Sequence, residues 1–170
     1  MTSDRIVLRI LAPADAEDFI ELRREALQQE PLMFAASPDD DRALSVSFVQ
    51  QALRDTSTSA TFGAFSPDLI GIIGIRRDRN PKTSHKARLW GFYVSPSYRN
   101  SGVGAKLLST ALDFARQLTG VRQLHLSVSD RAEAALQLYK RFGFQTWGVE
   151  PNALFRNGEF ASEHHMILEL

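Results

Sequence analysis

Two glycines two residues apart, Gly102 and Gly104, separate a strand of buried character from an amphipathic helix, and no other feature constrains the chain as much. Ala87 to Val94, with Arg-Leu-Trp-Gly-Phe-Tyr in its middle, has little polar character, as expected of a strand covered on both faces. Behind the loop, Gly104, Leu107, Leu108, Ala111, Ala115 and Leu118 share one face of a helix that Gly120 ends. The glycines remove side chains where the chain turns into that helix, leaving N–H groups free at the positive end of its dipole. Such a junction can cradle a pyrophosphate. The same pair also suits a loop that only needs to turn, and spacing alone does not choose. Two other phosphate loops are excluded. A dinucleotide fingerprint wants a third glycine where Leu107 stands, and a Walker loop wants Gly-Lys-Ser/Thr, which Lys106-Leu107 does not supply.

Around this junction the patterning gives an order of elements. A first strand runs from Arg5 to Leu11, and a helix follows from about Ala14 to Gln28, opened by Pro13 and the acidic first turn Asp15, Glu17 and Asp18. Beyond an irregular stretch between Pro31 and Pro38 comes a second helix, Arg42 to Arg54, with Leu44, Phe48, Val49 and Leu53 inward. Ser59 to Ser66 and Leu69 to Arg76 form strands joined at Pro67-Asp68. Gln123 to Ser129 alternates, with Leu124, Leu126 and Val128 on one face and His125, Ser127 and Ser129 on the other. Arg131 to Arg141 is helical, with Ala132, Ala135, Leu136 and Tyr139 sharing a face. Phe144 to about Leu154 and Glu163 to Leu168 are the last strands, joined by a turn containing Asn157-Gly158. These elements predict one domain over residues 1–170, of the α/β class, with a mixed sheet and helices on both sides.

Composition narrows the chemistry. Lys plus Arg and Asp plus Glu each number 20, so the formal charge is zero and a surface devoted to nucleic acid or an acidic membrane is not expected. The basic loop of Arg76, Arg77, Arg79, Lys82, Lys86 and Arg88 lacks interleaved aromatics and reads as a solvated hairpin. No stretch approaches the roughly 18 apolar residues of a membrane span, and the polar start Met1 to Arg5 is unlike a signal peptide. The expectation is a soluble, cytoplasmic protein. There is no cysteine, so thiolate nucleophiles and thiolate metal sites are excluded. His164 and His165 are adjacent and point to opposite faces of a strand, so no metal is expected there.

Two runs carry a family resemblance. Arg99-x-x-Gly102-x-Gly104 resembles the Arg/Gln-x-x-Gly-x-Gly/Ala acetyl-CoA motif of the GNAT superfamily of N-acetyltransferases, and Val94-Ser95-Pro96-Ser97-Tyr98 resembles its usual approach. Ala135-x-x-Leu138-Tyr139-x-x-x-Gly143-Phe144 resembles the family's second block at a typical distance, and the element order follows the family along nearly the whole chain. The resemblance implies a mostly antiparallel sheet of about seven strands with one splayed parallel pair, flanked by about four helices. It implies that Arg99 belongs to the acetyl-CoA site and that the backbone N–H groups of Asn100, Ser101, Gly102, Val103, Gly104 and Ala105 hold the pyrophosphate. It also implies that Phe92, Tyr93 and Val94 pair with the pantetheine arm, and that Tyr139 protonates the leaving thiolate.

The implied activity is direct acetyl transfer from acetyl-CoA to a primary amine of a small molecule. A protein or peptide amine is the near alternative, and a non-catalytic acyl-CoA sensor is the alternative from another class. With neither cysteine nor a Gly-x-Ser-x-Gly elbow, a covalent acetyl-enzyme has no evident nucleophile. The general base is not legible. Ser127 stands where relatives carry a proton acceptor, His125 lies two residues earlier on the same face, and Ala132 replaces the family's usual asparagine. On the acceptor side stand Asp39 to Asp41, which equally suit a helix cap, and Glu163, His164 and His165. Association into a homodimer is open.

Overall fold

The computed structural model of the protein describes residues 6–170, so the polar start Met1 to Arg5, including the first residue of the expected first strand, lies outside the described residues. Seven strands form one mixed sheet: β1 (Val7–Ile10), β2 (Ser59–Ser66), β3 (Asp68–Arg77), β4 (Lys86–Val94), β5 (Gln123–Ser129), β6 (Gln145–Arg156) and β7 (Glu159–Glu169). Their spatial order is β1-β2-β3-β4-β5-β7-β6. All neighbours pair antiparallel except β4 and β5, which are joined through the crossover helix and run parallel. That parallel pairing is short. It covers Lys86↔Gln123, Ala87↔Leu124 and Arg88↔His125, after which the strands part.

Four helices cover the sheet: α1 (Ala16–Gln29), α2 (Val46–Ala52), α3 (Val103–Gln117) and α4 (Glu133–Arg141). On one face Val103, Leu107, Leu108, Ala111 and Ala115 of α3 pack with Leu136 and Tyr139 of α4 against Ile73, Ile75, Leu124, Leu126 and Met166. Leu107, Leu108 and Leu124 are wholly excluded from water, and each such side chain contributes about 1.5–3 kcal/mol of burial. On the other face Phe19, Ile20 and Ala26 of α1 and Val49 of α2 enclose Leu11, Leu69, Ile72 and Tyr93. Two cores sandwich one sheet. Among the described residues no helix is long and apolar enough to cross a membrane.

The elements follow the sequence pattern with local corrections. The helix expected over Arg42 to Arg54 is a 3-10 turn at Arg42–Leu44 followed by α2, broken where Ser45 is extended (ψ 121°). Asp41 accepts a hydrogen bond from the Ala43 N–H at 3.0 Å and starts the turn as a cap. Phe48, expected inward, is 42% exposed, with the Arg42 guanidinium 4.8 Å from its ring centre. Helix α4 starts at Glu133 rather than Arg131, because Ser129 ties the chain into a turn by accepting from Arg131 N–H at its Oγ and from Ala132 N–H at its carbonyl. Phe144 precedes β6 as a buried core residue. β7 begins four residues before Glu163 because Asn157 and Gly158 both have positive φ (51° and 80°) and close a tight hairpin. The rings of Phe155 and Phe160 pack across it, tilted, with centroids 4.6 Å apart. The basic loop is a solvated hairpin: Arg88 pairs with Asp78 at 3.0 Å and Arg77 Nε donates to the Ser84 carbonyl.

Candidate active site

Between β4 and α3 the chain makes a 3-10 turn at Pro96–Tyr98, passes through an extended Arg99, and enters the left-handed region twice, at Asn100 (φ 61°) and Gly102 (φ 83°). Gly102 caps α3 from outside, and the first helical hydrogen bond runs from Lys106 N–H to its carbonyl. A Cβ on Gly102 would meet nothing within 4 Å, so glycine answers the backbone angle there and not a packing limit. Gly104 is the reverse: a Cβ would stand 3.2 Å from the Phe92 ring, so the helix start lies directly on β4. The backbone N–H groups from Asn100 to Ala105 have no partner among the described residues. They sit at the positive end of a helix of 15 residues, which is the environment an anion needs.

β4 delivers its end to that loop. A register shift opposite Ile72 and Gly74 of β3 places a bulge next to Gly91, and past it Tyr93 pairs with Ile72 and Val94 with Gly71. Ser95 N–H donates to the Ile70 carbonyl, so by alternation the Val94 and Phe92 N–H groups face away from β3, toward the gap that β5 leaves. Contacts from Tyr93, Ser95 and Arg99 brace this strand end. The Tyr93 and Ser95 hydroxyls both donate to Glu25 Oε1 of α1, at 2.9 and 3.0 Å. Burial and Glu25 together push the Tyr93 phenol above its ordinary range. Arg99 lies 3.0 Å from Glu30, donates from Nε to the Val94 carbonyl, and stands 5.4 Å from the Tyr93 ring centre. Arg99 therefore pins the loop to β4 and α1, a role that its place in the motif did not reveal.

Tyr139 of α4 packs against the end of β4 through Phe92. Its ring packs between Phe92 and Phe144, with centroids 5.8 and 5.6 Å away, and burial raises its phenol above the ordinary value. The hydroxyl makes no hydrogen bond among the described residues. It is also not a sealed orphan, a condition that among those residues belongs to His164 Nδ1 alone. Burial keeps the phenol protonated, so the hydroxyl is a donor without a partner among the described residues.

Across the sheet, the face beneath α1 and α2 carries polar groups beside the widening gap. Ser127 lies two residues past the last β4–β5 pair and is exposed, while Leu126 and Val128 turn to the α3 side. Its Oγ is 2.9 Å from Nδ1 of His165, its register partner on β7. His165 Nε2 in turn lies 3.4 Å from Glu150 of β6, and the Trp147 ring lies beside the imidazole, tilted, with centroids 5.5 Å apart. Glu163 joins them, and the ligand-type atoms of Glu150, Glu163 and His165 lie within 4.8 Å of one another. Burial, first, raises the Glu163 carboxyl above its usual range, against the pull of His165. Ser127 and His165 are brought together only by the β5–β7 register, which no pattern within either segment reports. His125 lies inside the paired segment opposite Arg88 and bonds to Gln123 at 3.2 Å; burial, then Lys86 and Arg88, hold its imidazole below its usual range. It stands at the closed end of the pair.

The acidic cluster is mostly committed. Asp41 caps its turn and makes a buried 2.7 Å ion pair with Arg23, and Asp40 accepts from Ser37 N–H. A cavity of about 620 Å³ opens on this face between α2, β2 and β3, lined in part by Phe48, Leu53 and Trp90. Trp90 is two residues past Arg88 on β4, as Ser127 is two past His125 on β5.

Residues 17–144 match the acetyltransferase (GNAT) family. The chain is similar to the L-amino acid N-acetyltransferase AaaT of Escherichia coli, 27% identical over 99 residues that cover 58% of this chain and 60% of that one. It spans 37–60% of the length of the first curated relatives it matches. The fold is similar to the acetyltransferase of GNAT family from Streptococcus pneumoniae (TM-score 0.85, 23% identity, 98% of this chain and 100% of that one). It is also similar to yncA of Salmonella typhimurium, solved with its cofactor acetyl-CoA (TM-score 0.82, 20% identity, 98% and 94% covered).

Proposed function

Because the chain belongs to the GNAT family of acetyltransferases, we propose that it moves an acetyl group from acetyl-CoA directly to a primary amine of a small molecule. The observation that carries this reading is the row of unpartnered N–H groups from Asn100 to Ala105, beside a β4–β5 gap that opens after Arg88. The row receives the pyrophosphate at the α3 N-terminus. The Phe92 and Val94 N–H groups pair with the pantetheine arm as a neighbouring strand would, and the same edge polarises the thioester carbonyl. Tyr139, buried and protonated, supplies the proton that the departing thiolate takes up. The similarity to an L-amino acid acetyltransferase and the cavity of about 620 Å³ beside Trp90 support a small acceptor.

Thiol release from acetyl-CoA across a panel of amino acids, polyamines and peptides tests the reading. Turnover with small amines is expected, with initial-rate lines that intersect as both substrates vary. Parallel lines, or an isolated acetyl-enzyme, contradict direct transfer. A chain that binds acetyl-CoA and acetylates nothing is a sensor; one that turns over only peptides has a protein acceptor.

A further inference from the structure

We propose that Ser127, His165 and Glu150 form a proton relay that deprotonates the acceptor amine, with the His165 imidazole as the proton acceptor. This rests on the transfer reaction above and names a group the sequence left blank. Three strands build the relay. Ser127 on β5 and His165 on β7 are register partners, with Oγ 2.9 Å from Nδ1. Glu150 Oε2 on β6 lies 3.4 Å from the other ring nitrogen, and the Trp147 ring lies beside the imidazole, 5.5 Å between centroids and tilted by 33°. A carboxylate at Nε2 favours the proton on that nitrogen, leaving Nδ1 free to accept one from Ser127.

Position makes this relay useful. Ser127 stands where β5 leaves β4, on the sheet face opposite α3 and α4. A thioester lying in the gap, with its phosphates on the α3 loop, is reached by an amine from the Ser127 face. The charged groups facing His165 are Glu150 on β6 and Glu163 on its own strand; β5 contributes Ser127 and no charge, and His125, farther along β5, is turned to Gln123. Two carboxylates and an exposed indole beside the imidazole suit an acceptor that arrives as an ammonium ion.

The step balances as follows. The ammonium gives one proton to Ser127 Oγ as the Ser127 hydroxyl proton passes to His165 Nδ1, yielding neutral amine and imidazolium. The amine lone pair forms the C–N bond at the thioester carbon and the C–S bond breaks. Tyr139 gives its hydroxyl proton to the departing thiolate, the second proton shed by nitrogen returns to the Tyr139 phenolate, and the imidazolium releases its proton to water. Ser127 takes no acetyl group.

The test is the pH profile of kcat/KM for a primary amine, for the wild type and for His165→Gln, Ser127→Ala and the double variant. The wild-type profile should rise and then level off well below the pKa of the amine. His165→Gln should fall about 100- to 10,000-fold near neutral pH and climb about tenfold per pH unit toward the pKa of the amine, where neutral amine no longer needs a base. Ser127→Ala, an exposed site that leaves the fold intact, should show the same profile, and the double variant should lose no more than either alone. A His165→Gln profile equal to wild type overturns the relay while amine turnover stands. An acetylated Ser127, or wild-type activity lost to a chelator, overturns it as well. A wild type that acetylates no amine removes both the transfer reaction and the relay.

Discussion

Replacing Tyr139 with phenylalanine separates catalysis from packing in this site. The ring stays between Phe92 and Phe144, 5.8 and 5.6 Å away, so the apolar contacts survive. The lost hydroxyl has no hydrogen-bond partner among the described residues, so no buried group is stranded, and the change in stability should stay within about 1 kcal/mol. Turnover is another matter. Positioned proton transfer contributes about 100- to 10,000-fold, or about 2.7–5.4 kcal/mol of barrier. Thiol release at saturating acetyl-CoA should fall by that range, while calorimetric affinity for acetyl-CoA and the melting temperature hold. Because burial raises the phenol, the wild type should show no loss of rate from its deprotonation at any pH below the ordinary tyrosine value of about 10. An undiminished Tyr139→Phe rate with an acceptor that the wild type turns over would refute the reasoning.

Other expectations follow from the supports of the site. Glu25→Ala removes the acceptor shared by Tyr93 and Ser95, and should lower stability by about 1–3 kcal/mol in denaturant titration and raise KM for acetyl-CoA more than it lowers kcat. Equal losses in both would detach α1 from the strand end. Asp15 accepts from Arg9 and from Ala12 N–H, and the Arg9 hydrogen bond, before all else, holds its carboxyl below the ordinary 3.8. A depressed carboxyl stabilises above the unfolded value and loses that contribution as pH falls through the folded one. Asp15→Asn should therefore be less stable than wild type at neutral pH, with the difference closing in acid; a difference independent of pH counts against the ion pair.

Much of this architecture was legible because its signals are local. The period of Leu107, Leu108, Ala111 and Ala115 reports α3, and the alternation of Leu124, Leu126 and Val128 reports β5. Asn157-Gly158 reports the last hairpin, although the exposed apolar residues Phe155 and Phe160 hid how far it extends. The phosphate loop was legible for the same reason: it is one contiguous run. What escaped depends on register between distant segments. Ser127 meets His165 through β5–β7 pairing, Glu25 meets Tyr93 across the sheet, and Arg99 turns to Glu30 instead of standing free. No periodicity within a single segment reports such pairs.

Titration calorimetry of acetyl-CoA with the wild type and Gly102→Val tests the central claim most directly. A Cβ at Gly102 meets nothing within 4 Å, but a valine at φ 83° opposes the backbone angle, so the loop should reshape at a cost of about 1–3 kcal/mol while both cores stay packed. The account predicts binding by the wild type and no detectable binding by a variant whose circular dichroism is unchanged. Equal affinity in the two folded proteins would show that the N–H groups from Asn100 to Ala105 do not hold the cofactor.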